Sequence, residues 1–243
     1  IVNCAAFTAV DAAEEQYDAA KKVNSDAVRV LAEWASANMA KVIHISTDFV
    51  FDGAKKRPYL PLDKPNPLNV YGRTKLDGEK YILELLPDTG MVVRTSWLYS
   101  EYGTNFLKSM LRLMSENDAI RVVDDQCGCP TSTRTLTYLL FEIIGKDDIS
   151  GIHHWNDGGS ISWYEFAVEI QKQGLDLGLL EKRITISPIE TSEYSAKATR
   201  PLYSVLDCER SNTCYGVQSV NWKKELNRVI AAIVDSKKGV ANG

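Results

Sequence analysis

Residues 42–53, VIHISTDFVFDG, and residues 69–75, NVYGRTK, decide the fold and the chemistry that this chain can support. The first stretch reads as an apolar strand that delivers Thr47 at its end. The second opens a helix and places Tyr71 and Lys75 four residues apart, on one helical face. A hydroxyl at a strand end, facing a Tyr–Lys pair, can deliver a proton to a carbonyl group. By itself the pair favours a helix-face aromatic and a solvated charge, so the rest of the chain has to decide.

Hydrophobic periodicity predicts alternating strands and helices on both sides of these stretches. The predicted strands are residues 1–6, 41–46, 91–99 and 120–123. The predicted helices are residues 12–39 with a break near Asn24-Ser25, 70–86 with Asn69 as the cap, 105–115, and 135–144. Strand–helix–strand units of this length are parallel and right-handed. The pattern therefore predicts a doubly wound, Rossmann-like parallel sheet.

The predicted elements become shorter after residue 146. They are strands at residues 151–156 and 184–189, a helix at 162–173 capped by Ser162, and a closing helix at 221–234. We therefore predict an α/β chain with two domains. Residues 1–146 form the Rossmann-like domain, and residues 147–243 form mainly a smaller α/β substrate-binding lobe, with the chain free to cross between the two.

The loop at residues 53–69 carries four prolines, which exclude a helix there. It follows the carboxyl end of a predicted strand, and this is the edge at which open α/β sheets bind their ligands. We therefore place the candidate site at that edge.

Composition narrows the class of protein. Net charge is −4 without a basic run, so there is no electrostatic footprint for nucleic acid. No apolar segment approaches the roughly 20 residues of a membrane span. The five cysteines are scattered, and Cys127-Gly-Cys129 has no second ligand pair at a metal-binding spacing, so we predict no metal site. Reduced thiols predict a cytoplasmic protein.

Seven motifs together resemble a known superfamily. In chain order they are NCAAFTAVDAAE, HISTDFVFDG, PLNVYGRTKLDGE, VRTSWLYSEYGTNF, VVDDQCGCPT, SWYEFA and RPLYSVLD. They resemble the extended short-chain dehydrogenase/reductase superfamily, and within it the reductases that complete the synthesis of dTDP-L-rhamnose. The resemblance implies reduction of the 4-keto group of a dTDP-linked 6-deoxy sugar by NADPH or NADH, and it leaves a homodimer open.

The resemblance also carries an expectation about the start of the chain. Members open with a Gly-rich strand–turn–helix that holds the cofactor pyrophosphate. No G-x-x-G-x-x-G pattern occurs here. We therefore expect that a preceding segment of roughly 55–60 residues, about two βα units, belongs to the protein. That segment would decide between NADH and NADPH.

The family's catalytic roles carry over onto three residues. Tyr71 is implied to be the acid that protonates the carbonyl oxygen as hydride reaches the carbon. Lys75 is implied to hydrogen-bond the nicotinamide ribose and, as an ammonium, to favour the Tyr71 phenolate. Thr47 is implied to donate to the same carbonyl oxygen and stabilise its developing charge.

Nine further positions match binding positions of the superfamily. Ala5, Ala6 and Thr8 are implied to lie along the cofactor, together with Tyr71 and Lys75. The implied substrate contacts are Val10, Thr47, Asp48, Trp97, Asn105, Gln126 and Arg200. Among these, Arg200 suits a diphosphate best because a guanidinium binds such an anion bidentately. A loop-capping role for Asp48, a core role for Trp97 and a surface ion pair for Arg200 are the competing interpretations.

Three other functions remain as alternatives. A dehydratase of the same superfamily would carry a glutamate after the Thr-Asp pair, where this chain has Phe49. An epimerase uses the same Tyr–Lys pair, although STDFVFDG and TSWLY fit a reductase better. A non-catalytic subunit resembling the regulatory β subunit of methionine adenosyltransferase shares similar STD and YGxxK stretches. Consumption of NAD(P)H with a 4-keto sugar nucleotide separates the reductase from all three.

Overall fold

The structure of the protein is a computed structural model that describes residues 1–146 and 150–241. Its strands are β1 (Val2–Asn3), β2 (Val42–Thr47), β3 (Gly90–Thr95), β4 (Leu98–Tyr99), β5 (Ala119–Val123), β6 (Cys127–Gly128), β7 (Thr131–Ser132), β8 (Gly151–Trp155), β9 (Ile161–Ser162) and β10 (Thr185–Ile189). Its α-helices are α1 (Val10–Glu15), α2 (Tyr17–Lys21), α3 (Ala27–Ala37), α4 (Val70–Leu85), α5 (Phe106–Glu116), α6 (Thr133–Ile144), α7 (Trp163–Asp176), α8 (Glu209–Tyr215) and α9 (Trp222–Ala241). The chain is therefore α/β, as predicted.

The described chain divides into two compact units. The first comprises residues 1–96, 139–155 and 195–218. The second comprises residues 97–138, 156–194 and 219–243, of which residues 242 and 243 lie outside the description. The domain prediction, residues 1–146 and mainly 147–243 with the chain free to cross between the two, stays a prediction; each compact unit is assembled from three separate segments.

The first unit is built on a parallel sheet in the order β1-β2-β3-β8. Val2 pairs with Ile43, and Ser46 pairs with Arg94. All six residues of β3 are buried, as expected for a strand with both faces covered. The doubly wound, Rossmann-like fold predicted from the sequence is confirmed.

The predicted helix over residues 12–39 is a chain of shorter pieces. The first break lies at Gln16, between α1 and α2. Residues Lys22–Asp26 then form a π-helical turn, which coincides with the break expected near Asn24-Ser25. Asn24 is fully buried there, and its amide bonds both Phe7 and Thr74. A π-helical turn is rare and occurs mostly as a single turn within an α-helix, frequently at a functional site.

The second unit has its own core around α5, α7 and α9. Aromatic side chains dominate it, with Phe166 fully buried among Tyr99, Phe106 and Trp222. Ser162 caps α7 through a capping box with Glu165, as its position in the sequence predicted. The unit also contains the parallel pairs β4–β7 and β10–β5 and the antiparallel pair β6–β9.

Two predicted strands were wrong in extent, and one helix was missed. The strand expected over residues 1–6 is only β1, because residues 4–6 leave the sheet. The strand expected over 91–99 is divided into β3 and β4, because Trp97 adopts a positive φ of 47° that no strand residue has. Helix α8 was not predicted at all. No helix in the described part of the chain combines the length and apolarity that a membrane crossing requires.

Candidate active site

The carboxyl ends of β1 and β2 and the start of α4 bring the central candidate residues together within the first unit. Thr47 is the last residue of β2 and Asp48 opens the short 3-10 turn that follows. Tyr71 and Lys75 lie in the first two turns of α4. The Thr47 hydroxyl lies beside the Tyr71 phenol and acts to lower its pKa, and the Phe49 ring packs edge-on against the Tyr71 ring with centroids 5.8 Å apart.

Two side chains, the amide of Asn69 and the carboxylate of Glu14, fix the start of α4. The Asn69 Oδ1 accepts from the Gly72 backbone N–H at 2.8 Å, which is the cap predicted from the sequence. Glu14 of α1 accepts from the Val70 backbone N–H at 2.7 Å. The Asn69 amide also donates to the Thr199 carbonyl at 2.8 Å. The first turn that carries Tyr71 is therefore tied to α1 and to the chain near residue 199.

The Thr47 hydroxyl makes two hydrogen bonds within its own turn. It donates to Asp48 Oδ1 at 3.0 Å and accepts from the Phe49 backbone N–H at 3.1 Å. Because a hydroxyl has one hydrogen and two lone pairs, one lone pair is left for a further partner. Rotation of the Thr47 hydrogen away from Asp48 would let it donate to a Tyr71 phenolate or to a substrate oxygen.

Burial dominates the protonation of the site. It raises the pKa of Tyr71 to about 12, opposed by the hydrogen bond with Thr47 and reinforced by the charge of Asp48. Burial also raises the pKa of Asp48 to about 6, against hydrogen bonds from Ser204 and Thr47. For Lys75 burial acts in the other direction and lowers the pKa to about 8. Burial thus shifts all three pKa values toward the neutral form, yet at pH 7 Asp48 is still mainly a carboxylate and Lys75 mainly an ammonium.

Lys75 is fully buried beneath this site. Its Nζ donates to the Ile45 carbonyl at 2.7 Å and lies 3.2 Å from His44 Nε2. Glu79, one turn further along α4, and Cys4, after β1, partly offset the fall in the Lys75 pKa. Glu79 itself forms a fully buried bidentate pair with Arg94, at 2.9 and 2.6 Å.

The residues after β1 fit a dinucleotide cofactor in size and in donor chemistry. Cys4 and Ala5 have small, exposed side chains and Ala6 is half-buried, so a planar ring can approach the backbone closely. Thr8 is exposed on the same loop. Lys75 has a charge interaction with Cys4 of the same loop. In its ammonium form Lys75 has three N–H donors, which suit acceptors such as ribose hydroxyls.

Val10 is the first residue of α1, and Arg200 of the same unit pairs with the residue that follows it, Asp11. Arg200 forms an ion pair with Asp11, with Nη2 to Oδ2 at 2.6 Å and Nη1 to Oδ1 at 3.1 Å. Asp11 also accepts from the backbone N–H groups of Lys197 and Ala198, both at 3.0 Å. The Arg200 guanidinium holds the pKa of Asp11 below its usual value. A diphosphate would have to share Arg200 with Asp11, and its contact with substrate stays a prediction.

The other three candidates lie in the second unit. Trp97 is half-buried and stacks on Trp163 with ring centroids 3.5 Å apart. Asn105 is the cap of α5, where its amide also bonds the carbonyls of Ser100 and Tyr102. Gln126 is buried and donates to Thr191. Their contacts with substrate stay predictions.

Sequence reasoning missed several polar residues that support the site. His44, Asn24 and Glu79 are buried and each makes specific polar contacts. One signal was visible, because a polar residue inside an otherwise apolar strand or helix face needs a partner when it is buried. The partner could not be named, because it lies on another element.

Fold and site together define a class. A parallel sheet with threonine at one strand end, and tyrosine and lysine on the next helix, is the arrangement of the extended short-chain dehydrogenase/reductases. Within that class, the family model described as RmlD substrate binding domain matches residues 1–234. The chain belongs to this RmlD substrate binding domain family.

Individual relatives agree with that assignment. A dTDP-4-dehydrorhamnose reductase of Sinorhizobium fredii is 40% identical over 96% of this chain and 80% of its own length. The crystal structure of the dTDP-4-dehydrorhamnose reductase of Bacillus anthracis in complex with NADP is 36% identical, with a TM-score of 0.88 over 94% of this chain and 79% of that chain. The Clostridium acetobutylicum structure is 40% identical, with the same TM-score over 96% and 80%.

Proposed function

We propose that the protein reduces the 4-keto group of dTDP-4-dehydro-6-deoxy-L-mannose to give dTDP-L-rhamnose, with NADPH or NADH as the reductant. Family membership and relatives at 36–40% identity that are named for this reaction support the proposal. The observation that carries it is the contact of Thr47 with Tyr71 at the carboxyl end of β2, beside buried Lys75.

A nicotinamide cofactor, when bound beside Lys75 and the loop after β1, would supply hydride to the carbonyl carbon. The chain's own groups must then handle the negative charge that develops on the carbonyl oxygen. The Tyr71 hydroxyl gives that oxygen its proton, and the Thr47 hydroxyl donates a hydrogen bond to it. Lys75, when protonated, stabilises the Tyr71 phenolate that remains. Asp48, Val10, Trp97, Asn105, Gln126 and Arg200 remain the proposed substrate contacts.

The first test is turnover. Purified full-length protein, with the expected preceding segment, is mixed with NADPH or NADH and the 4-keto sugar nucleotide, and both cofactor oxidation and the product sugar are followed. We expect stoichiometric oxidation with formation of the dTDP-linked rhamnose. An epimerase or a dehydratase would change the sugar without net oxidation, and a regulatory subunit would bind cofactor without changing the sugar; either result excludes the reductase.

Tyr71→Phe tests the proton donor. We expect a loss of turnover of about 10²- to 10⁴-fold, the usual contribution of a positioned acid, with cofactor affinity near that of the unchanged protein. Tyr81→Phe is the matched control, because Tyr81 lies on the same helix and is also half-buried. Equal turnover in the two variants, or loss of cofactor binding in Tyr71→Phe, would contradict the assignment.

We further infer a cytoplasmic location and a homodimer. All five cysteines are thiols and none forms a disulfide, which suits a reducing compartment. The homodimer rests on the resemblance of the sequence alone. Sedimentation of the purified protein would test it.

A further inference from the structure

His44 lies between the loop after β1 and the buried lysine. Its Nδ1 is 3.0 Å from the Asn3 amide nitrogen, and its Nε2 is 3.2 Å from Lys75 Nζ. The ring is fully buried. Burial and the neighbouring Lys75 charge hold the pKa of His44 well below its usual value, so the ring is neutral. A neutral imidazole carries one hydrogen, and which nitrogen holds it decides what the ring offers to Lys75.

Asn3 fixes the position of that hydrogen. The Ala5 backbone N–H donates to Asn3 Oδ1 at 3.2 Å, which turns the amide nitrogen of Asn3 toward His44. An amide nitrogen can only donate, so Nδ1 of His44 accepts. The ring hydrogen is therefore on Nε2, which points at Lys75.

An N–H group that faces Lys75 Nζ disfavours the ammonium form, since an ammonium has only donors. A neutral amine has a lone pair that can accept from Nε2–H while still donating to the Ile45 carbonyl. The ammonium form requires the opposite tautomer, in which Nε2 accepts and Nδ1–H donates to a reoriented Asn3 amide oxygen. The Ala5 N–H then loses its bond to Asn3, and solvent can replace it because Ala5 is exposed.

We propose that His44 is a positioning residue for Lys75, and that its tautomer couples the charge of the lysine amine to the orientation of the Asn3 amide. The coupling runs from Asn3 at the end of β1, through His44 of β2, to Lys75 of α4. The proposal rests on the proposed function at one point only: the role of Lys75 in reduction requires the ammonium form.

Other charges that face Lys75 act independently of this coupling. Glu79 of α4 and Cys4 of the loop after β1 both favour the ammonium. The Arg94 guanidinium of β3 pairs with both oxygens of Glu79, and this weakens the stabilisation that Glu79 gives to the Lys75 ammonium. The tautomer of His44 is thus a separate determinant, and it can be read without reference to activity.

The test is a pH titration of the whole chain labelled with ¹⁵N histidine and ¹³C lysine. Nitrogen shifts report the His44 tautomer, and the lysine Cε shift reports the charge of Lys75. We expect His44 to change from the Nδ1–H to the Nε2–H tautomer with the same midpoint as Lys75. His153 and His154 are internal controls, because they lie on β8 and complete the chain's three histidines; their tautomers should not change over this range.

Asn3→Asp tests the coupling by a variant. A carboxylate at residue 3 accepts only, so it fixes the hydrogen of His44 on Nδ1 and makes Nε2 an acceptor for the ammonium. We expect the Nδ1–H tautomer at every pH and a Lys75 midpoint higher by about one pH unit. Asn38→Asp adds the same charge beyond the end of α3 and should leave both signals unchanged.

A His44 tautomer that stays constant while Lys75 titrates would overturn the proposal, as would an Asn3→Asp protein that keeps the Nε2–H tautomer. The wild-type titration decides the question even if the variant does not fold. Absence of turnover with the coupled titration intact would exclude the proposed reduction and leave the coupling standing.

Discussion

Asp48 is a buried carboxyl group next to the proposed proton donor. Thr47 and Ser204 hydrogen-bond it, but its Oδ2 atom has no hydrogen-bond partner in the part of the chain that the structure describes. Burial raises its pKa from 3.8 to about 6. Below about pH 4 both the folded and the unfolded chain hold the proton. As the pH rises through 6 the folded chain must bury a charge, so stability is lost over that range.

Asp48→Asn should therefore stabilise the protein at pH 8 and have little effect at pH 4. We expect the free energy of unfolding to rise by about 2 kcal/mol at pH 8, since each unit of pKa shift is worth about 1.4 kcal/mol and some hydrogen bonding is lost. Urea unfolding at the two pH values measures it.

Asp52→Asn is the control of opposite sign. Hydrogen bonds from the Ala54 backbone and from Asn66 lower the pKa of Asp52, so its contribution is present above pH 4 and lost as the pH falls. Its replacement should destabilise the protein at pH 8. Two variants that change stability in the same direction at pH 8 would contradict the assignment of Asp48.

At the scale of elements, α4 determines how the candidate residues are held. Its amino end is capped by Asn69, and its middle approaches the π-helical turn closely at Gly78. A Cβ atom on Gly78 would lie 2.3 Å from the Asn24 carbonyl oxygen. Both features bear on the position of Tyr71 and Lys75, which lie between them on the helix.

Asn69→Ala should loosen the first turn of α4. Loss of the cap costs about 1 kcal/mol of stability, and turnover should fall because Tyr71 is in that turn. Asn69→Asp keeps an acceptor for the Gly72 N–H but loses the donor to the Thr199 carbonyl. Its stability and turnover should therefore lie between those of the wild type and those of Asn69→Ala. Unfolding free energy and kcat are the measurements; an Asn69→Ala protein as stable as the Asn69→Asp protein would show that the cap contributes nothing.

Gly78→Ala should destabilise the protein despite the better helix propensity of alanine. Propensity alone would stabilise by about 1 kcal/mol, but the new Cβ must displace the backbone of the π-helical turn. Gly145→Ala is the control, because its Cβ would have no neighbour nearer than 4.0 Å. The unfolding temperature of Gly78→Ala should be lower than that of the wild type, and that of Gly145→Ala should be equal to it or higher. The reverse order would contradict the close packing of α4 on the turn.

At the scale of the whole molecule, buried ionisable groups are distributed unequally between the two units. All three histidines lie in the sheet of the first unit, and burial lowers the pKa of His153 to about 4 and of His154 to about 3. In the second unit, burial raises the pKa of Asp157 to about 7, against hydrogen bonds from Thr135 and the Ser132 backbone. These shifts have opposite consequences as the pH falls.

Lowering the pH from 7 to 5 should destabilise the first unit and stabilise the second. Histidines with lowered folded pKa values lose stability as the pH falls below 6.5, by about 2 kcal/mol each at pH 5. This exceeds the gain of about 1 kcal/mol from Asp48. Asp157, with a raised folded pKa, gains stability as the pH falls through 7.

Hydrogen exchange of core amides, corrected for the intrinsic rate at each pH, would measure this. Protection should fall in β3 and β8 and rise in α7. Asp157→Asn should abolish the rise in α7 and leave the fall in β3. Parallel changes in both units would contradict the distribution of buried charges.

The sequence by itself determined the local features of the protein. Periodicity, Asn69 and Ser162 placed the main helices, because caps and amphipathic faces depend on residues within about four positions. The spacing of Tyr71 and Lys75 fixed a shared helical face for the same reason, and the apolar strands fixed a parallel sheet.

Only the tertiary structure decided the partners of the buried polar groups. The pair of Asp11 with Arg200 joins positions 189 residues apart, and His44 reaches Lys75 across 31. The positive φ of Trp97 and the assembly of each unit from three segments also depend on distant packing. The chemistry of a side chain determines what kind of partner it needs. Which residue becomes that partner depends on strand order and helix packing, because these bring together residues that no local pattern connects.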